Sequence, residues 1–269
     1  MNLCYFRSIS PGVRYIISNV FKKIIHHKYN KQLLQSNIDA ARRRGKIVCR
    51  HYGRRHKRLY RKINFWRDKI YKFGRVCAIN YDPNRNSHVA LVFYKDRIKI
   101  YILAPTGIYV GANIVAGFRV LVETGNSLPL WNIPLGTNLH NVELYPGRGR
   151  KLGRSAGTFV SLLAREYGLV TLRLPSGKLC FISQISWATI GQIGNVTARS
   201  TKKGKAGRTI WLGRRSRVRG SVINPVDHPH GGGEGRRPIG RIHSCTPWGK
   251  PRLGQKTRHI KKYSDVFFL

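Results

Sequence analysis

The sequence predicts a mostly β protein: two small barrels in tandem, flanked by extended basic N- and C-terminal arms. Three observations lead there. Over 269 residues, 51 Lys and Arg stand against 10 Asp and Glu, a net charge of +41. That charge is uneven: residues 1–75 carry +19, residues 76–190 carry +7 and residues 191–269 carry +15. Finally, the moderately charged middle consists of short apolar-alternating runs separated by turn residues about every ten positions, the pattern of a barrel or sandwich. A self-repulsion this large destabilises a compact state unless a polyanion neutralises it. With 41% hydrophobic residues the chain buries a real core and is not a disordered basic tail. No apolar run approaches the ~18–20 residues of a membrane span.

The amino terminus, MNLCYFRSIS, has no apolar core followed by a small-residue cleavage site, so it does not read as secretory. Residues 13–34 set apolar side chains beside Lys22, Lys23, Lys28 and Lys31 without an acid, but are poor in Arg and Ser. An amphipathic targeting segment is the lesser reading there. Cys4, Cys49, Cys77, Cys180 and Cys245 are odd in number and widely spaced, with no C-x-x-C. They read as reduced thiols rather than as a zinc ribbon or redox pair. The arm is assigned to residues 1–44.

The first barrel is assigned to residues 45–110. Its strands are expected at residues 75–81, 89–94 and 98–103, with turns at Asp82-Pro83-Asn84 and Lys95-Asp96 and a boundary near Gly107–Gly111. The second is assigned to residues 111–190, with strands at 117–122, 141–144, 159–165, 169–174 and 178–182. Pro175-Ser176-Gly177 closes the last pair as a hairpin. Beyond Gly191, Gly, Pro, Arg and Lys dominate and no apolar period survives. Residues 191–269 therefore read as an extended segment that its partner folds.

Three stretches carry chemistry. Residues 42–75 interleave 15 Lys and Arg with His51, Tyr52, His56, Tyr60, Phe65, Trp66, Tyr71 and Phe73. Cations neutralise phosphates and flat rings stack on unpaired bases, so this reads as an RNA contact rather than a solvated charged face. The loop 146–157 alternates Gly147, Gly149, Gly153 and Gly157 with Arg148, Arg150, Lys151 and Arg154. Its glycines let backbone approach a phosphate ridge. It is not a P-loop, since the Lys-Ser/Thr ending and a following helix are absent. In Asn224-Pro225-Val226-Asp227-His228-Pro229-His230-Gly231-Gly232-Gly233-Glu234-Gly235-Arg236, the glycine run suits a passage too narrow for side chains. Its two His, two apart, supply only part of a zinc site.

This last stretch, NPVDHPHGGGEGR, resembles the signature of the bacterial-type L-two family of large-ribosomal-subunit proteins. Further matches follow in the family's order: Ser10-Pro11-Gly12, Arg50-His51, His56-Lys57, YDPNRN at 81–86, YILAP at 101–105, HNVE at 140–143, RSAGT at 154–158, VRG at 218–220 and TPWG at 246–249. The resemblance implies an OB-fold barrel followed by an SH3-like barrel. It implies no catalysis and no cofactor of its own, magnesium and potassium being held by the associated rRNA. The partners implied are large-subunit rRNA, neighbouring large-subunit proteins, the small subunit at an inter-subunit bridge and nearby tRNA.

The candidate rRNA ligands are Arg50, His51, Arg54, Arg55, His56, Lys57, Arg58, Arg61, Lys62, Arg85, Arg148, Arg150, Lys151 and Arg154. In the C-terminal arm they are Lys202, Lys203, Lys205, Arg208, Arg214, Arg215, Arg217, Arg219 and Arg236. Asp227, His228, His230, Gly231, Gly232, Gly233 and Glu234 are implied to form a loop near the peptidyl transferase centre, with His228 a positioning residue. Arg54 and Arg55 replace part of a glycine run usual in the family, and the chain ends in Phe267-Phe268-Leu269 where a basic tail is common. The start at Ser10 and these drifts point to an organelle ribosome, mitochondrial before plastid, encoded in the organelle. Two other readings stand beside this one. A metal-dependent RNA-processing enzyme using Asp227, His228, His230 and Glu234 would want more carboxylates than ten. A free single-strand-binding OB protein would not need about 80 basic, Gly-rich residues after its barrels.

Overall fold

The computed structural model describes residues 3–19, 33–35, 42–53, 55–235, 238–259 and 262–268. Arg54, Arg236 and residues 20–32, which hold most of the candidate targeting segment, lie outside the described residues. The chain divides into two units, residues 1–38, 56–208 and 264–269 in one and residues 39–55 and 209–263 in the other.

The first unit contains both barrels. One is built on a four-stranded antiparallel sheet ordered Asn113–Ile114, Gly74–Asn80, Val89–Tyr94, Lys99–Leu103. Val89–Tyr94 and Lys99–Leu103 are apolar on both faces because both are covered. Ala90, Val92, Tyr94, Ile100 and Ile102 pack into one core, and Val89, Leu91, Tyr101 and Leu103 into another. Side chains two apart in a strand share a face, yet Val76 belongs to the first core and Ala78 to the second. The register shift between them makes this possible, since an extra residue in a strand switches the faces that follow. The sheet takes in residues beyond 110, because Asn113 and Ile114 pair with Arg75 and Gly74.

The second barrel is built on a six-stranded sheet ordered Ser127–Pro129, Trp187–Ile190, Asn138–His140, Val160–Glu166, Leu169–Arg173, Leu179–Ser183. Cross-strand partners Val170 and Ile182, and Leu172 and Cys180, face one core together with Val160 and Leu162. Pro129 sits on the edge strand, where a missing N–H costs least. Residues 117–122, expected as a strand, are irregular. The Asn126 side chain takes the pairing groups instead, accepting from the Val115 N–H at 2.9 Å and donating to the Leu121 carbonyl at 3.1 Å. The loop 146–157 is likewise partly regular: Arg150–Leu152 returns against Val142–Glu143 as a two-stranded ladder.

Among the described residues of the two arms, short strands are paired, and the C-terminal arm also holds a helix at Ala206–Trp211, where the sequence shows no apolar period. Lys202–Lys203 joins the three-stranded sheet with Leu3–Tyr5 and Ile16–Asn19. The apolar terminus also lies on the chain itself. Phe268 bridges Cys180, and the Phe267 ring meets Tyr145 edge-on at 4.8 Å. Both phenylalanines pack on the second core. Deleting residues 265–269 is expected to uncover Cys180, whose buried thiol is pushed up to about 11 by desolvation, and to cost about 2 kcal/mol from lost apolar burial. Iodoacetamide labelling followed by mass spectrometry checks this. The intact chain should be alkylated at the exposed Cys49 and Cys77 and spared at Cys180, whereas the truncated chain should be alkylated at all three. Unchanged protection of Cys180 would contradict the packing.

Candidate nucleic-acid interface

In the first unit two of the arginines expected to meet RNA, Arg61 and Arg85, converge on one carboxylate. Asp82 lies in the turn after Gly74–Asn80 and is fully buried. Its oxygens meet Arg85 at 2.6 Å and Arg61 at 3.6 Å and accept the Asn84 N–H at 3.0 Å. Arg58 donates to the Pro83 carbonyl at 2.7 Å. The Arg85 guanidinium lies 6.0 Å from the Tyr60 ring, and Arg154 stacks 3.8 Å from the Phe65 ring. Arg154 has its pKa lowered by burial and then by Arg85, so the two cations are neighbours. Sequence positions 58, 61, 85 and 154 are thus gathered, and a single carboxylate orients two of the guanidiniums, Arg61 and Arg85. Fixed guanidinium planes beside aromatic rings suit phosphates and unstacked bases. Tyr52, Tyr60, Trp66, Tyr71 and Phe73, from the same basic stretch, are exposed.

Most other ligands expected from the sequence are also reachable. Lys57, Lys62, Arg148, Lys151, Lys202, Lys203, Lys205 and Arg208 are exposed. Arg150 corrects the expectation. Its side chain is 1% exposed, donates to the Thr189 hydroxyl at 3.2 Å and lies 5.8 Å from the Trp187 ring. It stands opposite Glu143 in the ladder. Burial first, then Arg67, lowers its pKa to about 9, against the pull of Glu143. It is a core residue of the second barrel rather than a phosphate ligand. Neither the basic loop nor its spacing reveals this, because the deciding partner lies across a ladder.

His140 sits in the same polar interior, 1% exposed, and its Nδ1–H donates to the Gly191 carbonyl at 2.8 Å. Burial, aided by Arg67 and Arg150, lowers its pKa to about 4 although the Gly191 bond opposes this. The unfolded chain takes up this proton near the ordinary 6.5, and the folded chain does not until about 4. Stability is therefore expected to fall as the pH drops from 6.5 to 4, by about 3 kcal/mol from this group. Denaturation of the wild type and His140→Gln over that window checks the sign. Parallel pH profiles would exclude the assignment.

In the second unit, residues 51–53 run beside residues 213–216. Tyr52 bridges Arg214, the Gly53 N–H donates to the Gly213 carbonyl at 2.9 Å, and the Arg215 N–H donates to the His51 carbonyl at 3.0 Å. This brings Arg55 alongside Gly213 and leaves Arg214, Arg215, Arg217 and Arg219 exposed. The Arg50 guanidinium stacks 5.0 Å from the Trp248 ring. His56, which follows in the chain, is exposed.

The loop containing Asp227 is a closed knot of backbone. The Asp227 N–H donates to the Asn224 carbonyl, Gly231 to that of His228, and Gly232 to that of Ile223. A Cβ on Gly231 would lie 2.3 Å from the Asn224 carbonyl oxygen, and one on Gly232, at φ +93°, 2.7 Å from Pro225. The narrow passage expected for this run is met by the chain's own backbone. The imidazoles also hold the loop together, in a way that the sequence does not announce. His228 Nδ1 accepts the His230 N–H at 3.0 Å, and His230 Nε2 accepts the Cys245 N–H at 2.9 Å. The His228 ring packs on Gly220, where a Cβ would approach within 2.4 Å. The pKa of His230 is lowered by burial, His228 and Arg241. A ring nitrogen that accepts a backbone hydrogen bond carries no proton of its own, so neither acceptor is a donor here. Val226, Asp227, Gly233 and Glu234 are exposed.

Two residues take roles in the interface that the sequence does not announce: Asp82, which orients Arg61 and Arg85, and Phe65, read as a base-stacking ring, which carries Arg154 instead. In the sequence each stands out for another reason, one as a turn residue and the other as part of an aromatic run.

No described helix is long and apolar enough to cross a membrane. Two family models match the chain. Residues 30–116 match the RNA-binding N-terminal domain of Ribosomal Proteins L2, and residues 123–249 match the C-terminal domain of the same proteins. The matches span the first barrel with its Asp82 arginines and the second barrel with the Asp227 loop. With its OB-fold barrel followed by an SH3-like barrel, the chain belongs to the ribosomal protein L2 family of the large ribosomal subunit.

Proposed function

We propose that this protein is a structural constituent of the large subunit that binds large-subunit rRNA, supports subunit association and organises the region around the peptidyl transferase centre. It holds RNA in place and leaves catalysis to it. The observation that carries this reading is the set of arginines oriented around Asp82, with Arg61 and Arg85 bonded to its carboxylate. Such a set is arranged before RNA arrives, so little side-chain entropy is lost on contact. The proposed division of labour follows the barrels. Residues 45–110 and 111–190 present basic loops to rRNA helices, and residues 191–269 thread between them. A-form grooves hide base identity, so recognition rests on phosphates and shape. The Asp227–Glu234 loop is the part assigned to the neighbourhood of the peptidyl transferase centre and tRNA, and an exposed segment reaches the small subunit. The bacterial-type signature with its Arg54-Arg55 departure supports an organelle ribosome, mitochondrial in preference to plastid.

The test is incorporation of the full chain carrying a photocrosslinker at Val226, which is 90% exposed at the tip of the loop. The chain should sediment with the large subunit at moderate salt and crosslink to RNA of the peptidyl transferase region. Failure to co-sediment would remove the ribosomal reading for this chain. Co-sedimentation with crosslinks elsewhere would remove only the placement of the loop.

A further inference from the structure

A groove of about 450 Å³ opens on the second barrel, and none of the basic side chains named above as rRNA ligands lines it. Its floor is the start of the strand Val160–Glu166, with Phe159 39% exposed. One wall is the hairpin turn with Arg173, Leu174 and Pro175, and the other is the helical turn Val196–Ser200, which carries Arg199. The volume falls within the range of small-ligand sites, ~300–1,000 Å³.

The walls are fixed. Gly157, at φ +69°, comes so close that a Cβ would lie 2.9 Å from Val196 Cα. Its N–H donates to the Ile193 carbonyl at 3.2 Å, and its carbonyl accepts from the Gln192 side chain at 2.9 Å. Asn195 begins the helical turn and ties it to the Asn86 carbonyl and to the Asn19 side chain. The hairpin turn is closed by Gly177 N–H donating to the Leu174 carbonyl at 2.9 Å. None of the lining residues is acidic. Both arginines are exposed, and no ion pair engages either among the described residues.

A rigid slot with one open aromatic face and two uncompensated guanidiniums at its rim matches the chemistry of a single nucleotide. The ring offers a stacking plane that any base satisfies, and the cations meet the phosphates on either side. An acidic peptide would use the arginines but gains nothing particular from Phe159. We propose that this groove receives one unstacked rRNA nucleotide, its base on Phe159 and its phosphates on Arg173 and Arg199. This rests on the rRNA-binding reading above and adds a base-stacking site to it.

The experiment uses the full chain with deproteinised large-subunit rRNA and, in parallel, assembled large subunits. The variants are Phe159→Ala, Phe159→Leu, Phe159→Tyr, Arg173→Gln and Arg199→Gln. The readouts are affinity, its salt slope, and the reactivity of rRNA bases to a base-specific chemical probe. Phe159→Ala and Phe159→Leu should weaken binding about tenfold with the slope unchanged, and Phe159→Tyr should bind as the wild type. Each Arg→Gln change should lower the slope magnitude by about one. One base should become reactive in the Phe159→Leu complex. The leucine keeps apolar packing but has no π-face, so a folded Phe159→Leu with wild-type affinity and unchanged base reactivity would overturn the proposal. Loss of a neighbouring protein from variant subunits, with all bases equally protected, would also overturn it in favour of a peptide occupant. Wild-type chain that fails to bind rRNA would remove the functional reading itself, whatever the groove variants do.

Discussion

Raising monovalent salt from about 50 to 200 mM is expected to weaken binding of the full chain to large-subunit rRNA fragments by roughly a thousandfold or more. Each phosphate neutralised by Lys or Arg releases condensed counterions, so affinity falls as a power of salt concentration. With seven or more phosphates engaged, the slope of log K against log salt should have a magnitude of ~6 or more, taking duplex DNA as the guide. The net charge of +41 supplies cations far in excess of seven. The structure narrows which of them act. Arg150 is buried and should contribute nothing, and Lys69 and Lys72 share Asp96 at 3.1 and 2.5 Å. Arg215 and Arg217 are exposed, and each changed to Gln should lower the slope by about one. Filter binding over a salt series measures this. A slope of one or two would mean that most of the charge faces something other than phosphate.

Glu143→Gln is expected to cost about 1–3 kcal/mol of folding stability, because it removes the negative charge that offsets the buried Arg150. Glu143 is 3% exposed and stands opposite the buried Arg150. It also accepts the Trp187 N–H at 3.1 Å. Glutamine keeps an oxygen for that bond and has the same shape, so the loss reports the charge. Adding Arg150→Met to Glu143→Gln should recover most of the loss, because the stranded cation is removed. Urea denaturation of the wild type and the two variants, followed by tryptophan fluorescence, decides it. A loss below ~1 kcal/mol, or no recovery in the double variant, would show that Arg150 finds its compensation elsewhere.

The strands legible in the sequence are those whose information is local. Val89–Tyr94 and Leu169–Arg173 lie within a residue of expectation, because alternation and nearby turn residues mark both ends. Ser127–Pro129 and Trp187–Ile190 carry no such signal, and each is short and paired with the other some sixty residues away. Such strands form because a partner is already in place, and no window of sequence contains both halves. The same holds for the interface. The basic aromatic run from 42 to 75 announces an RNA-facing surface, yet in the sequence all its cations look alike. That Arg61 and Arg85 share Asp82, and that Arg150 turns inward to Glu143, depends on which residues stand opposite one another. The Asp227 loop is recognisable by its glycines. The backbone bonds taken by His228 and His230 are not, since an imidazole in a Gly-rich loop looks the same whether it serves the chain or a partner.

The sheet that joins the ends of the first unit also sets a clock. Ile16–Asn19 is paired on one side by Leu3–Tyr5, made moments before it, and on the other by Lys202–Lys203, made about 180 residues later. At ~5–20 residues per second, roughly 10–40 s of synthesis separate the two edges. Throughout that interval a hairpin with an open side waits on the nascent chain while both barrels emerge. The long delay leaves this strand edge open to pairing with a neighbour while the chain grows.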